Sequence, residues 1–106
     1  MIASYQKDDG ETVLALQLQI PSSVREAYEW VWGRSVTSDR RQKVHFGNWF
    51  HYERSVAEHG MVVPLIGEGS PLVAREGDYI IRHTQGYFSV CNGIQFPLLY
   101  ARIHDA

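Results

Sequence analysis

The chain has 106 residues and a mass of 12.2 kDa, which is the usual size of one domain with one hydrophobic core. Hydrophobic residues make up 44% of it and charged residues 21%, a composition that excludes a disordered or fibrous protein. The formal net charge of -2 excludes both the basic excess of a dedicated nucleic-acid binder and the acidic excess of a polyanionic DNA mimic.

The cysteine content and the apolar segments indicate where the protein works. Cys91 is the single cysteine, so an intrachain disulfide is excluded and a reducing cytoplasm is expected. Met1 to Tyr5 lacks the basic start and apolar run of a signal peptide, and no apolar stretch approaches the ~20 residues of a membrane span. We therefore expect a cytoplasmic protein with no membrane partner.

The first segment of the chain predicts a β-hairpin. Asp9-Gly10 is a pair typical of a tight turn, which predicts paired strands over residues 2–6 and 12–20. Apolar residues alternate in the second strand, so we expect one buried face and one exposed face.

A helix is predicted directly after this hairpin. Ser23 and Glu26 form a capping-box pattern, in which each side chain bonds a free backbone N–H of the other. Helical spacing of apolar residues predicts a helix over 24–32, with Gly33 as its left-handed C-cap.

The middle of the chain is a polar segment followed by an aromatic one. Residues 34–43 have no apolar period and predict an exposed loop. We expect a short strand at 44–46 and then a second helix up to His59, with Asn48 as cap and Gly60 as stop.

The remaining sequence changes character and predicts short strands at 61–66, 71–75, 78–83 and 86–91, one helical turn within 92–99 and a last strand at 100–104. Short strands at this spacing favour an antiparallel meander. The predicted class is α+β: a mostly antiparallel sheet of five to six strands with one or two helices packed on one face, in a single domain over 1–106.

Two stretches resemble small phage and prophage proteins of unknown function. The first is Tyr5 to Lys7 with the strand and helix that follow. The second, more specific stretch contains Gly77 to Ile81, Gly86 to Phe88, Phe96 and Tyr100, which is similar to that family's "GDWI, GEFY, F, TY" signature. In this comparison residues 34–60 look like an insertion. The resemblance implies a phage-encoded protein made in the bacterial cytoplasm, and it implies no catalytic residues.

No residue pattern indicates a metal or a cofactor, and we expect neither. The five histidines include no helical pair at i, i+4 with an acidic partner, and no cysteine pair accompanies them. Cys91 and His83 could be drawn as a nucleophilic pair, but the residues around Cys91 form no known nucleophile motif. We therefore expect a protein that is not an enzyme.

An aromatic and basic surface is the main binding hypothesis. The segment around Trp49 contains more aromatic residues than one helix face can bury, so its rings either complete the core or contact a partner. The predicted partner-binding residues are Arg40, Arg41, Lys43, Trp49, His51, Tyr52 and Arg54.

The leading hypothesis is a phage-encoded counter-defence protein that binds and blocks a host bacterial protein or ribonucleoprotein complex, for example as an anti-CRISPR inhibitor. Direct nucleic-acid binding is not expected, and a homodimer stays open. One alternative is a sponge for a signalling nucleotide, with the phosphate and base held by Tyr79, Arg82, Tyr87 and Arg102. Another is a small accessory phage protein with a structural role.

Overall fold

The computed structural model describes residues 1–33, 49–63 and 72–103. Within them the chain forms an α+β fold of seven strands and three helices. These are β1 (Ala3–Lys7), β2 (Thr12–Gln17), α1 (Val24–Trp32), α2 (Trp49–His59), β3 (Met61–Val63), β4 (Leu72–Ala74), β5 (Tyr79–Arg82), β6 (Phe88–Cys91), α3 (Phe96–Leu99) and β7 (Tyr100–Arg102). The strand predicted at 44–46 lies outside the described residues.

The strands form a five-stranded sheet in the order β6-β5-β2-β1-β7 and a separate two-stranded ribbon of β3 and β4. Every pairing is antiparallel, which confirms the predicted fold class. The meander prediction is wrong between β4 and β5, because β5 pairs with β2, where Ile80 lies opposite Leu16. Contacts between the side chains of β2 and β5 select this pairing, although β4 is closer to β5 along the chain.

The first hairpin is confirmed. Ala3 pairs with Ala15 and Gln6 with Thr12, and Gly10 has a φ of 97° in the turn between the strands. Its N–H donates to the Lys7 carbonyl at 2.9 Å, which closes the turn. A backbone with this φ favours glycine because a Cβ is disfavoured there.

Strand β2 has buried residues on both faces, although Thr12 and Leu14 at its start are exposed, so the prediction of one exposed face is wrong. Leu16 is fully buried in a core formed with α1, α2 and the β3–β4 ribbon. Val13 and Ala15, on the opposite face, are buried against Phe96 of α3. The sheet therefore has a core on each side, because the last segment of the chain returns to cover the second face.

Helix α1 has the predicted bounds, and Gly33 is its left-handed C-cap with a φ of 65° and its N–H bonded to the Glu29 carbonyl. The capping-box prediction is wrong, because the Ser23 hydroxyl makes no side-chain cap. It accepts from the Gln19 N–H at 2.7 Å and so stabilises the preceding turn. Glu26 instead pairs with the amino terminus of Met1 at 3.0 Å.

Helix α2 contributes to the first core through Tyr52 and Val56, which are one helical turn apart. The Tyr52 ring packs edge-on against Tyr28 of α1, with centroids 5.4 Å apart. Burial raises the pKa of the Tyr52 hydroxyl, and the neighbouring Tyr28 raises it further. Tyr52 and Val56 belong to the segment interpreted as an insertion, so its described part, residues 49–60, contributes to this core, while residues 34–48 lie outside the described residues. None of the helices described is long and apolar enough to cross a membrane.

Candidate functional site

The outer face of α2 carries the part of the predicted interface that the structure describes. His51 and Arg54 are exposed and line an open groove of about 280 Å³ together with Ser55, Glu58 and His59. Tyr52 points the other way, is 9% exposed, and its ring is therefore not available to a partner. Arg40, Arg41 and Lys43 lie outside the described residues, as does the side chain of Trp49.

The four residues of the nucleotide hypothesis do not share one surface. Tyr79 and Arg82 are three positions apart on β5, so their side chains lie on opposite faces of the sheet. Tyr87 stacks on His83 in the loop before β6, and Arg102 lies on β7, which β2 and β1 separate from β5. The fold therefore spreads these residues instead of collecting them around one ligand.

The second core is an aromatic stack around Phe96. Its ring lies against Tyr79 with centroids 3.8 Å apart, against Tyr100 at 4.7 Å, and edge-on to Tyr5 at 4.9 Å. Burial raises the pKa of both the Tyr79 and the Tyr100 hydroxyls. These contacts fix the short helix α3 on the sheet, because offset and edge-on aromatic pairs add to the burial of their area.

The outside of this anchored segment is apolar. Ile94 is 80% exposed and Leu98 is 78% exposed, and the exposed Pro97 lies between them in the chain. Ile94 lies in the turn before α3 and Leu98 lies four residues later within α3, and the Phe96 N–H donates to the Asn92 carbonyl across this junction. The result is an exposed apolar surface on a rigid support, which we call the α3 surface (Ile94, Pro97, Leu98).

A polar network lies on the same face of the sheet. Nδ1 of His83 is 3.0 Å from Oε2 of Glu11, and Nε2 is 2.7 Å from Oγ of Ser89. The ring of Tyr87 stacks on the imidazole with centroids 4.3 Å apart and planes inclined by 11°. The His83 side chain is 9% exposed and the Glu11 side chain 29%, so the imidazole is largely shielded from water and the carboxylate is only partly shielded. An acid, a histidine and a serine in this order can activate the serine hydroxyl.

Cys91 does not form the pair with His83 that the sequence suggested. The contacts of the two imidazole nitrogens are Glu11 and Ser89, whereas the Cys91 thiol donates to the carbonyl of its neighbour Asn92 at 3.6 Å. Burial raises the pKa of this thiol, and Asp78 raises it further. The thiol is therefore a poorer nucleophile than an unperturbed cysteine.

Sequence reasoning missed Glu11, Ser89 and the α3 surface. The turn at Gln85-Gly86 sets the register of the second hairpin, in which Ser89 lies opposite Ile81 and so shares a face with His83. The position of the turn alone is enough to predict that register. The contact of Glu11 with His83 is not predictable in this way, because it depends on the pairing of β2 with β5.

Among the described residues no three histidine, cysteine, aspartate or glutamate side chains are placed to hold a metal ion. No protein-family model matches the chain, and neither a curated protein nor a solved structure matches it.

Proposed function

We propose that the chain is a small bacteriophage protein that binds a host bacterial protein and blocks it by covering part of its surface. The phage origin is supported by the resemblance of Gly77 to Ile81, Gly86 to Phe88, Phe96 and Tyr100 to small phage and prophage proteins. In the fold these residues are structural: Gly77 and Gly86 have positive φ, and Ile80 and Phe96 are buried.

The observation that carries the binding role is the α3 surface. Single exposed apolar residues are common, but Ile94 and Leu98 lie four residues apart on one short segment and are 80% and 78% exposed. The Phe96 stack holds them in place, so binding a partner costs little further ordering of the backbone. The fully buried centre of a protein interface is more apolar than the rest of a protein surface, and a pre-positioned apolar pair fits such a centre.

The charge of the chain fits a protein partner. Because the formal net charge is only -2, long-range electrostatic attraction to a partner contributes little, and the affinity has to come from local contacts. An anti-CRISPR inhibitor that occupies a surface of a host nuclease complex is one concrete form of this proposal. The outer face of α2, with His51 and Arg54, is the rival position for the interface.

A comparison of two double variants tests the proposal. The tagged wild-type chain is used to capture proteins from bacterial lysate beside Ile94→Glu/Leu98→Glu and, as the matched control, His51→Ala/Arg54→Ala. We expect a near-stoichiometric bacterial protein that the first variant loses and the second retains. Adding the wild-type chain to that purified protein should then inhibit its activity.

Two results would contradict this assignment. Loss of the captured protein only in the α2 variant would move the interface to the outer face of α2. Absence of any stoichiometric protein partner, or a partner whose activity is unchanged by the chain, would remove the blocking role itself. Far-UV circular dichroism of both variants verifies that the fold is intact.

A further inference from the structure

A second inference concerns the polar network of Glu11, His83 and Ser89, and it is independent of the α3 surface. We propose that Ser89 is an activated nucleophile that accepts the acyl group of small esters, with His83 as its general base and Glu11 as the residue that orients His83. The sequence suggested His83 as a partner of Cys91, and no sequence pattern assigns a role to Glu11 or Ser89.

The direction of the hydrogen bonds follows from the chemistry of the groups. An ionised carboxylate only accepts, so the contact of 3.0 Å between Glu11 and Nδ1 of His83 requires the proton on Nδ1. In the neutral imidazole Nε2 then carries the lone pair, and it accepts from the Ser89 hydroxyl at 2.7 Å. This is the tautomer that a serine nucleophile needs.

The imidazole is held in one orientation by its surroundings. Tyr87 covers one side of the ring, and the His83 backbone N–H donates to the Tyr87 carbonyl at 2.9 Å. Because His83 is only 9% exposed, water competes little for either nitrogen of its ring. A base that is already positioned beside the hydroxyl needs no reorganisation when the proton moves.

The space beside His83 indicates the size of the acyl group. A cavity of about 280 Å³ borders His83, Val13 and Leu14, whereas Ser89 and Glu11 do not line it. This volume is at the lower end of the range for ligand pockets, so a short acyl chain is expected.

The proposed reaction is an ordinary acyl transfer. The Ser89 oxygen bonds to the ester carbonyl carbon while its proton moves to Nε2 of His83. The bond between that carbon and the leaving oxygen then breaks, and the leaving group takes the proton from Nε2. Water adds to the acyl-serine in the same way, which releases the carboxylic acid and returns the proton to Ser89.

The test uses p-nitrophenyl acetate as the ester and a fluorophosphonate as a covalent probe. The Ser89 oxygen displaces fluoride from phosphorus, so the expected product is a single phosphonyl adduct on the peptide containing Ser89. Ser89→Ala should abolish the adduct and lower ester hydrolysis at least tenfold, whereas Ser22→Ala, at an exposed serine of the turn before α1, should change neither. Cys91→Ala should also leave both the adduct on Ser89 and the rate of ester hydrolysis unchanged.

Glu11→Gln tests the positioning role, because the amide keeps the size of the side chain but loses its charge. We expect kcat to fall at least tenfold with KM unchanged, and the pH profile of kcat to change, while Glu11→Asp restores part of the rate. A side chain that only stabilises the hairpin would leave the pH profile unaltered. Circular dichroism confirms that each variant is folded.

The proposal is overturned if the folded wild-type chain forms no phosphonyl adduct, if the adduct maps to a residue other than Ser89, or if Ser89→Ala hydrolyses the ester at the wild-type rate. In those cases the network only closes the hairpin between β5 and β6. The capture experiment with the α3 variants does not depend on any of these results.

Discussion

The rings of Phe96 and Tyr79 lie flat against each other, with centroids 3.8 Å apart and planes inclined by 6°. This contact joins α3 to β5 across the second face of the sheet, which the sequence had suggested would be exposed. Phe96 is 2% exposed and also contacts Tyr5 and Tyr100. It is therefore the residue on which the second core depends.

The first prediction concerns that ring. Phe96→Ala removes a buried aromatic side chain, and we expect the free energy of unfolding to fall by about 3–5 kcal/mol. Leu98→Ala is the control, because Leu98 is 78% exposed in the same helix and should change stability by less than about 0.5 kcal/mol. Urea denaturation followed by circular dichroism measures both. Equal effects of the two variants would contradict the second core.

The second prediction concerns Gly60, between α2 and β3. Its φ is 86°, and a Cβ there would lie 2.5 Å from Cγ1 of Val73 and 2.9 Å from the carbonyl oxygen of Ala74. Gly10 has a similar φ of 97° with open space around it, so it is the matched control. Gly60→Ala therefore adds a steric clash to the backbone strain that both variants share.

We expect Gly10→Ala to cost about 1–3 kcal/mol and Gly60→Ala to cost measurably more. Thermal denaturation of the two variants beside the wild type gives the comparison. If Gly60→Ala is no more destabilising than Gly10→Ala, the contact of the ribbon with the end of α2 is looser than the structure indicates.

The third prediction concerns alkaline pH. Burial raises the pKa of Tyr52 above the ordinary tyrosine value of 10.0, so the folded protein keeps a proton that the unfolded chain releases. Stability from this group is complete below pH 10.0 and is lost as the pH rises above it, by up to about 1.4 kcal/mol per pH unit. Tyr52→Phe should reduce this loss. The measurement is urea denaturation at pH 8 and at pH 11, and a slope unchanged in the variant would contradict the prediction.

The fourth prediction concerns the thiol. Because burial raises the pKa of Cys91, its thiolate fraction at neutral pH is smaller than that of an unperturbed cysteine. Iodoacetamide should therefore alkylate the folded chain several times more slowly than the urea-unfolded chain at the same pH. The ratio is measured by intact mass over time. A faster reaction in the folded state would restore Cys91 as a candidate nucleophile.

Local chemistry alone was enough to predict the elements that depend on it. Asp9-Gly10 gave the first hairpin, and Gly33 gave the end of α1. In each case the deciding force is the backbone preference of one or two residues. The class of the fold followed from the order of these elements.

Tertiary structure decided two features that the local sequence pattern does not predict, the hydrogen bond of Ser23 and the burial of Tyr52. Ser23 has a capping sequence but uses its hydroxyl on Gln19, because the turn before the helix competes for the same oxygen. Tyr52 belongs to the core because α1 supplies Tyr28 as a neighbour. No local signal predicts either outcome.

By itself, then, the sequence determined the α+β class, the first hairpin and the bounds of α1, because neighbouring residues control those features. Only the tertiary structure decided that β5 pairs with β2, and that pairing brings Glu11 to His83 across 72 positions of sequence. It also decided that Phe96 is buried while Ile94 and Leu98 stay outside. Long-range pairing sets these contacts, since burial on each face of a sheet depends on which segment returns to cover it.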